Sequence, residues 1–182
     1  MIRRFMLLLT SIVFVCISPA HAGAATGRTP FKPDLHRFVL PRATVGGPSF
    51  NIDGVINSVA TGPTSTWVVR SLGRQAAGNG TYAVWISSTD AEEHANVASL
   101  DTNDRGPRLM VTQRVGPDEW VRGNTAPWGL MIQGEVSYRN IGFDATYYTH
   151  IPARVRDFHI AQAWVERTLT ALVTQARAMD HR

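Results

Sequence analysis

The segment from residue 158 to residue 179 carries one apolar stripe, which constrains the fold more than any other feature of the sequence. Its members recur at steps of three or four residues: Phe158, Ala161, Val165, Leu169, Leu172, Ala176 and Met179. This spacing is typical of an amphipathic helix with one face in a hydrophobic core. Asp157 is the expected N-cap. Such a helix needs an apolar surface to cover, so the rest of the chain is expected to supply a second layer.

Upstream of this helix, the chain carries a series of strand patterns separated by short turns. Runs of β-branched or alternating apolar residues are bounded by glycine, proline and small polar residues, as in the TGPTS segment. The predicted strands cover residues 53–60, 66–72, 81–88, 108–115, 128–140 and 142–150, and the RFVL segment (37–40) is a further short candidate. Because the connections are short, neighbouring strands are expected to pair antiparallel.

One short helix is predicted among the strands, at residues 88–100. A serine, a threonine or Asp90 can cap it, and Glu92 and Glu93 lie in its first turn, where the helix dipole favours negative charge. The sequence therefore predicts an α+β fold. An antiparallel β-meander sheet of about six strands packs against a long C-terminal amphipathic helix, with one short additional helix.

The first 22 residues are typical of a secretory signal peptide. Arg3 and Arg4 precede an apolar run of 13 residues, FMLLLTSIVFVCI, and small residues occupy the −3 and −1 positions before Gly23. The run is shorter than the roughly 20 residues that span a bilayer, which favours cleavage over retention as an anchor.

We therefore divide the chain into three parts. Residues 1–22 form the signal peptide, residues 23–36 are a flexible, proline-broken leader, and residues 37–182 form a single domain. The processed protein is expected to be periplasmic or secreted, with no transmembrane anchor.

Composition excludes several classes of function. Cys16 is the one cysteine and lies in the predicted signal peptide, so the processed chain has neither thiol catalysis nor cysteine metal sites. Lys32 is the one lysine among 18 basic residues, and the arginines are scattered. Nucleic-acid-binding surfaces carry a basic stripe instead. We therefore expect another protein as the partner, and no nucleic acid.

Motifs for metal binding are weak. Asp90, Glu93 and His94 share one helical face at a spacing that can hold a metal, but an HExxH signature is absent and capping acids explain the stretch. The DTNDRG segment fails as a calcium loop because Arg105 stands where a ligand oxygen is required. No metal and no cofactor are expected. A Ser–His–Asp triad assembled from distant residues stays open.

The GFDATYYTHIP segment (142–152) supplies the first candidate site. Strand alternation places Asp144, Thr146, Tyr148 and His150 on one face, opposite Phe143, Ala145 and Tyr147. Asp144 and His150 lie about 20 Å apart along a strand and cannot form a dyad within it, whereas Tyr148 and His150 can contact one ligand. The polar row is either a binding site or the solvated side of the sheet, and we expect it to be the more exposed face.

A second candidate surface surrounds the VRGNTAP loop. Trp120 and Trp128 flank this loop, and Arg122 lies within it. Tryptophan and arginine are enriched at the energetic centres of protein interfaces, which favours a protein-binding edge. The alternative is that the tryptophans seal the end of the fold.

Two functions are consistent with these observations. The first is an exported, small, non-enzymatic binding domain, such as an inhibitor, an immunity-type protein or an accessory protein of the envelope. The second is a small envelope hydrolase with a site built around Tyr148 and His150. A cleft that brings His150 to a carboxylate would favour the hydrolase.

Overall fold

A computed structural model of the chain describes residues 29–47, 49–58, 62–71, 78–103, 106–126, 129–149 and 155–181. The predicted signal peptide and the first part of the predicted leader lie outside the described residues. Within them, no helix combines the length and the apolar character needed to cross a membrane.

The strands form one antiparallel sheet. Their bounds are β1 Ser49–Ser58, β2 Gly62–Ser71, β3 Gly78–Ile86, β4 Trp120–Ala126, β5 Gly129–Tyr138 and β6 Ile141–Thr149. The helices are α1 Arg42–Val45, α2 Asp90–Asn103 and α3 Val155–Asp180. These elements confirm the α+β class, the antiparallel sheet and the C-terminal helix.

The strand order differs from that of a continuous meander. The order across the sheet is β1-β2-β3-β6-β5-β4, so β3 pairs with β6 and not with the strand that follows it in the chain. Two meanders, β1–β3 and β4–β6, are therefore joined edge to edge. The break falls at α2 and the irregular segment after it, which carry the chain to the far edge of the sheet.

The strand predicted at 108–115 is wrong. Arg108 makes an isolated bridge to Arg122, and Leu109 N–H donates to the Val121 carbonyl at 2.7 Å, but no ladder follows. Leu109, Val111 and Val115 instead pack against the core from an irregular segment. Burial of alternate side chains therefore produced a strand-like pattern without a strand.

The strand predicted at 37–40 is also absent. A short 3₁₀ helix covers Leu35–Arg37, and the side chain of Asp34 caps it. Phe38 is fully buried beyond this helix, and Leu40 N–H donates to the hydroxyl of Tyr82 at 2.9 Å.

Helix α3 packs on β5 and β6 and contacts β3 and β4 at its margins. Its buried side chains are Ala161, Trp164, Val165, Thr168, Leu169, Leu172, Val173 and Ala176. Phe158 and Met179, at the two ends of the predicted stripe, are partly buried. Close approach is possible because β3 carries a glycine here: a Cβ added at Gly80 would lie 2.3 Å from the ring of Trp164.

Helix α2 lies against the opposite side of the sheet, where it covers one end. Val97 is buried there, and its carbonyl accepts a hydrogen bond from the indole N–H of Trp120 at 3.2 Å. The sheet thus has α3 on one side and α2 over part of the other. The part of the second side that α2 does not cover carries the candidate site.

The N-terminal segment is tied to the β5–β6 turn. Phe31 N–H donates to the side-chain oxygen of Asn140 at 2.9 Å, and the Arg139 guanidinium lies 5.5 Å from the Phe31 ring centroid. Arg139 adopts a left-handed backbone conformation (φ 54°) and pairs with Asp180 at 2.5 Å. Packing therefore begins at least at Phe31, inside the stretch that the sequence assigns to the leader.

Candidate functional site: the open face of the sheet

Strand alternation separates the two sides of the sheet clearly in β6. Phe143, Ala145 and Tyr147 are fully buried on the side that α3 covers. Asp144, Thr146 and Tyr148 therefore point to the other side. The predicted alternation within this strand holds.

Neighbouring strands add to the same surface. We call the polar side of β4, β5 and β6 beyond α2 the open face; its members are Arg122, Met131, Gln133, Asp144, Thr146 and Tyr148. In the pairing register, Arg122 lies across from Gln133 and Gln133 lies across from Thr146. The open face therefore brings Arg122 next to the polar row of β6. The sequence predicted these as two separate candidate surfaces.

A hydrogen-bonded row holds the Asp144 carboxylate in place. The Gln133 side-chain amide donates to Asp144 Oδ2 at 2.7 Å, and the Thr146 hydroxyl donates to Asp144 Oδ1 at 3.1 Å. Both donors sit on paired strands, so the carboxylate is fixed by the sheet itself. Its position does not depend on a flexible loop.

Asp144 is partly exposed and yet strongly desolvated. Burial raises the pKa of its carboxyl to about 6, and the hydrogen bonds from Gln133 and Thr146 only partly oppose this shift. Asp144 therefore keeps some accessible surface while protein atoms displace most of its water.

The exposure expected for the row is only partly met. Tyr148 is 38% exposed, whereas Thr146 retains 6%. Thr146 is shielded because it sits in the middle of the sheet between Gln133 and Thr81, its partners on β5 and β3. Tyr148 lies across from Met131, nearer the end of the strand.

Arg122 is fixed at the margin of the open face. Its Nε donates to Asp101 of α2 at 2.8 Å, and its Nη1 donates to the Gly106 carbonyl at 2.5 Å. Asp101 also pairs with Arg108 at 3.2 Å. The charge of Arg122 is therefore committed to the junction between α2 and β4.

Three residues of the predicted site are not part of this surface as described. Trp120 is 1% exposed beneath α2, so its assignment to a binding edge is corrected: its indole docks the helix. A tryptophan on a strand gives no sign in the sequence of which helix will cover it. His150 and Trp128 lie outside the described residues.

A serine, a histidine and an aspartate do meet, under α2. His94 Nδ1 lies 2.9 Å from Asp118 Oδ2 and 2.9 Å from Ser137 Oγ, and Ser137 Oγ donates to Asp118 Oδ2 at 2.5 Å. In a hydrolytic triad the serine and the acid contact opposite nitrogens of the ring. Here both contact the same nitrogen, and Ser137 is buried, so the cluster ties α2 to β5 and does not activate a nucleophile.

A buried acid lies beside this cluster. Glu93 Oε2 accepts hydrogen bonds from the Trp85 indole at 3.0 Å and the Ser87 hydroxyl at 2.5 Å. Its Oε1 has no hydrogen-bond partner and faces Gly142. Burial raises the pKa of Glu93 to about 7, with a smaller contribution from the Asp118 carboxylate.

The metal pattern in the same helix is not assembled. Asp90 lies 3.9 Å from Arg139, Glu93 is buried against β3, and His94 turns to Asp118. Within the described part of the chain, no three histidine, cysteine or acidic side chains are grouped to hold a metal ion.

One groove lies elsewhere, between residues 109–112 and the first turns of α3. Its volume is about 490 Å³, and it is lined by Leu109, Met110, Thr112, Phe158, His159, Gln162, Ala163 and Glu166. Met110, at one side of this groove, is 89% exposed. The groove depends on the irregular path of this segment, which the sequence pattern does not predict.

Sequence reasoning missed Gln133 and Met131, although their signal was present. In the segment WGLMIQGEVSYRN, Met131 and Gln133 alternate with Leu130 and Ile132 as the polar row of β6 alternates with its apolar one. No known protein-family model matches the chain, and no curated protein resembles it significantly in sequence.

Proposed function

We propose that this chain is an exported, non-enzymatic binding domain that recognises another protein through the open face of its sheet. One observation carries the proposal: the Asp144 carboxylate, locked by Gln133 and Thr146, lies on the same rigid surface as the exposed ring of Tyr148. The signal-peptide pattern of residues 1–22 supports the exported location.

Preorganisation is the physical reason to favour binding. Ordering side chains at an interface costs about 0.5–1.5 kcal/mol for each flexible side chain, and groups that are already fixed avoid this cost. The side chains of Gln133, Asp144 and Arg122 are held by hydrogen bonds before any partner arrives. Six paired strands and an amphipathic α3 provide the rigid support that this function needs.

The composition of the open face also fits a protein partner. Tyrosine, methionine and arginine are enriched at protein interfaces, whereas lysine and glutamate are depleted. Tyr148, Met131 and Arg122 represent the enriched class on this surface. An inhibitor, an immunity-type protein and an envelope accessory factor all work through such a surface.

Capture of the partner tests this proposal. Tagged wild type and Tyr148→Ala would be incubated with envelope extract from the source cell, with Met110→Ala as the matched control on the separate groove. Loss of an interface hot spot costs about 2 kcal/mol or more, so Tyr148→Ala should lower capture more than tenfold, with the melting temperature nearly unchanged. Loss of capture only in Met110→Ala would place the interface at the groove and refute the proposal.

The second candidate function is a small envelope hydrolase around Tyr148 and His150. One observation favours it: Asp144, on the same face as Tyr148, has a pKa raised to about 6, and a carboxyl whose pKa is raised towards neutral pH suits general acid–base catalysis. Chromogenic ester and glycoside substrates separate the two functions. Turnover by wild type that is lost in Asp144→Asn supports the hydrolase, and equal background in both supports the binding domain.

A further inference from the structure

We propose that the open face receives an arginine side chain of the partner protein, with the guanidinium seated on the Asp144 carboxylate. This inference rests on the proposed binding function and names the chemistry by which the partner is recognised.

The hydrogen bonds of Asp144 leave some acceptor positions of its carboxylate unused. An ionised carboxylate offers about four acceptor positions. Gln133 uses one on Oδ2, and Thr146 uses one on Oδ1 with a longer approach of 3.4 Å to Oδ2. Both donors are neutral side chains, so they orient the carboxylate without balancing its charge.

No described cation balances this charge. Among the described residues, no salt bridge includes Asp144, and the causes of its pKa shift are burial and two neutral hydrogen bonds. Arg122, the arginine on the same face, is committed to Asp101 and Gly106. The residue directly across from Asp144 on β5 is Glu135, another acid.

Charge complementarity therefore selects a cationic group, and its geometry favours arginine over lysine. The planar guanidinium presents several donors in a fixed fork that matches the two oxygens of a carboxylate. It is also less strongly hydrated than an ammonium group, so it enters a desolvated site at lower cost. Tyr148, about 13 Å along the strand from Asp144, then contacts a second part of the same partner segment.

Titration with a small probe tests the inference directly. The ¹⁵N-labelled protein, processed at the predicted site, would be titrated with N-acetyl-arginine-methylamide and, separately, with its citrulline counterpart, which has nearly the same shape and no charge. We expect the arginine probe to shift the amide signals of 131–135 and 144–148. The dissociation constant should lie in the millimolar range, which corresponds to a binding free energy of about −4 kcal/mol. The citrulline probe should shift none of them.

The variant Asp144→Asn provides the second arm. Its amide oxygen can accept from Gln133 and its amide N–H can donate to the Thr146 hydroxyl, and the variant removes a desolvated charge, so it is expected to fold. Arginine-induced shifts should disappear in Asp144→Asn and persist in Met110→Ala. Equal shifts with citrulline, shifts that persist in Asp144→Asn, or no shifts with the arginine probe would each overturn the inference.

Two further outcomes separate this inference from the proposed function. If Tyr148→Ala abolishes partner capture while arginine and citrulline behave alike, the open face binds protein without a seated cation, and only this inference fails. If sedimentation shows a wild-type dimer that Asp144→Asn abolishes, the arginine comes from a second copy of the chain and the assignment to a different partner protein is wrong.

Discussion

The buried acid under α2 leads to the sharpest prediction for the stability of this fold. In the unfolded chain Glu93 titrates near its ordinary pKa of 4.5, whereas burial raises the folded-state value to about 7. Between these values the folded protein holds a proton that the unfolded chain has released. The free energy of unfolding therefore falls as pH rises through this window, by up to about 1.4 kcal/mol per pH unit.

The magnitude follows from the size of the shift. Over the whole window the loss is about 3 kcal/mol, a large share of the 5–15 kcal/mol typical of a domain. Glu93→Gln abolishes this titration. It also places a buried amide where Oε1 faces Gly142 without a partner, which costs about 1–3 kcal/mol at every pH. Wild type should be more stable at pH 5, and the two proteins should converge or cross by pH 8.

Urea denaturation followed by tryptophan fluorescence, from pH 4.5 to 8, measures this difference. The slope with urea should be the same for both proteins, so that midpoints report stability alone. Asp144→Asn is the matched control, because burial raises the pKa of Asp144 only to about 6. Because the Glu93 contribution remains, that variant should show a smaller fall below pH 6 than wild type and the same fall between pH 6 and 7. Parallel curves for wild type and Glu93→Gln across the whole range would refute the reasoning.

Three further predictions concern the rest of the chain. Leu172→Asp places an unpaired charge in the core where Leu172 is fully buried and should cost several kcal/mol; a soluble variant with unchanged melting would contradict the packing of α3. Asp180→Ala removes the pair with Arg139 and the hydrogen bond from Tyr138, and by analogy with broken buried pairs should cost about 3 kcal/mol, measured by thermal unfolding and by faster hydrogen exchange at the end of α3. N-terminal sequencing of the exported protein should begin at or near Gly23, and an intact Met1 in the membrane fraction would show that the leader is not cleaved.

Local periodicity predicted the elements whose burial follows directly from sequence spacing. The C-terminal helix was predicted where α3 lies, and the alternation of β6 identifies Phe143, Ala145 and Tyr147 as buried, although Thr146 is buried as well. The same logic failed at 108–115, because Leu109 and Val111 reach the core from an irregular segment. The spacing of apolar residues predicts which side chains are buried. It does not predict whether the backbone between them forms the hydrogen bonds of a β-ladder.

Non-local contacts account for what the sequence did not predict at the site. Glu93 fits the sequence pattern of a capping acid, and its burial arises because Trp85 and Ser87 of β3 come to lie beneath it. Likewise, Arg122 shares a surface with Thr146 only because β5 lies between β4 and β6 and pairs with both of them. Neither arrangement has a signature within one stretch of chain.

The presence of a desolvated acid at position 144 is itself an argument for a role in binding a cation. Burial of Asp144 costs about 3 kcal/mol at neutral pH, since its pKa is raised from 3.8 to about 6. An asparagine can accept the bond from Gln133 with its amide oxygen and donate its amide N–H to the Thr146 hydroxyl without this cost. Asp144→Asn should therefore unfold at higher urea than wild type at pH 7.5 and, in the same buffer, lose the response to the arginine probe. A variant that loses stability as well would show that the carboxylate supports the fold, and the case for a seated cation would fall with it.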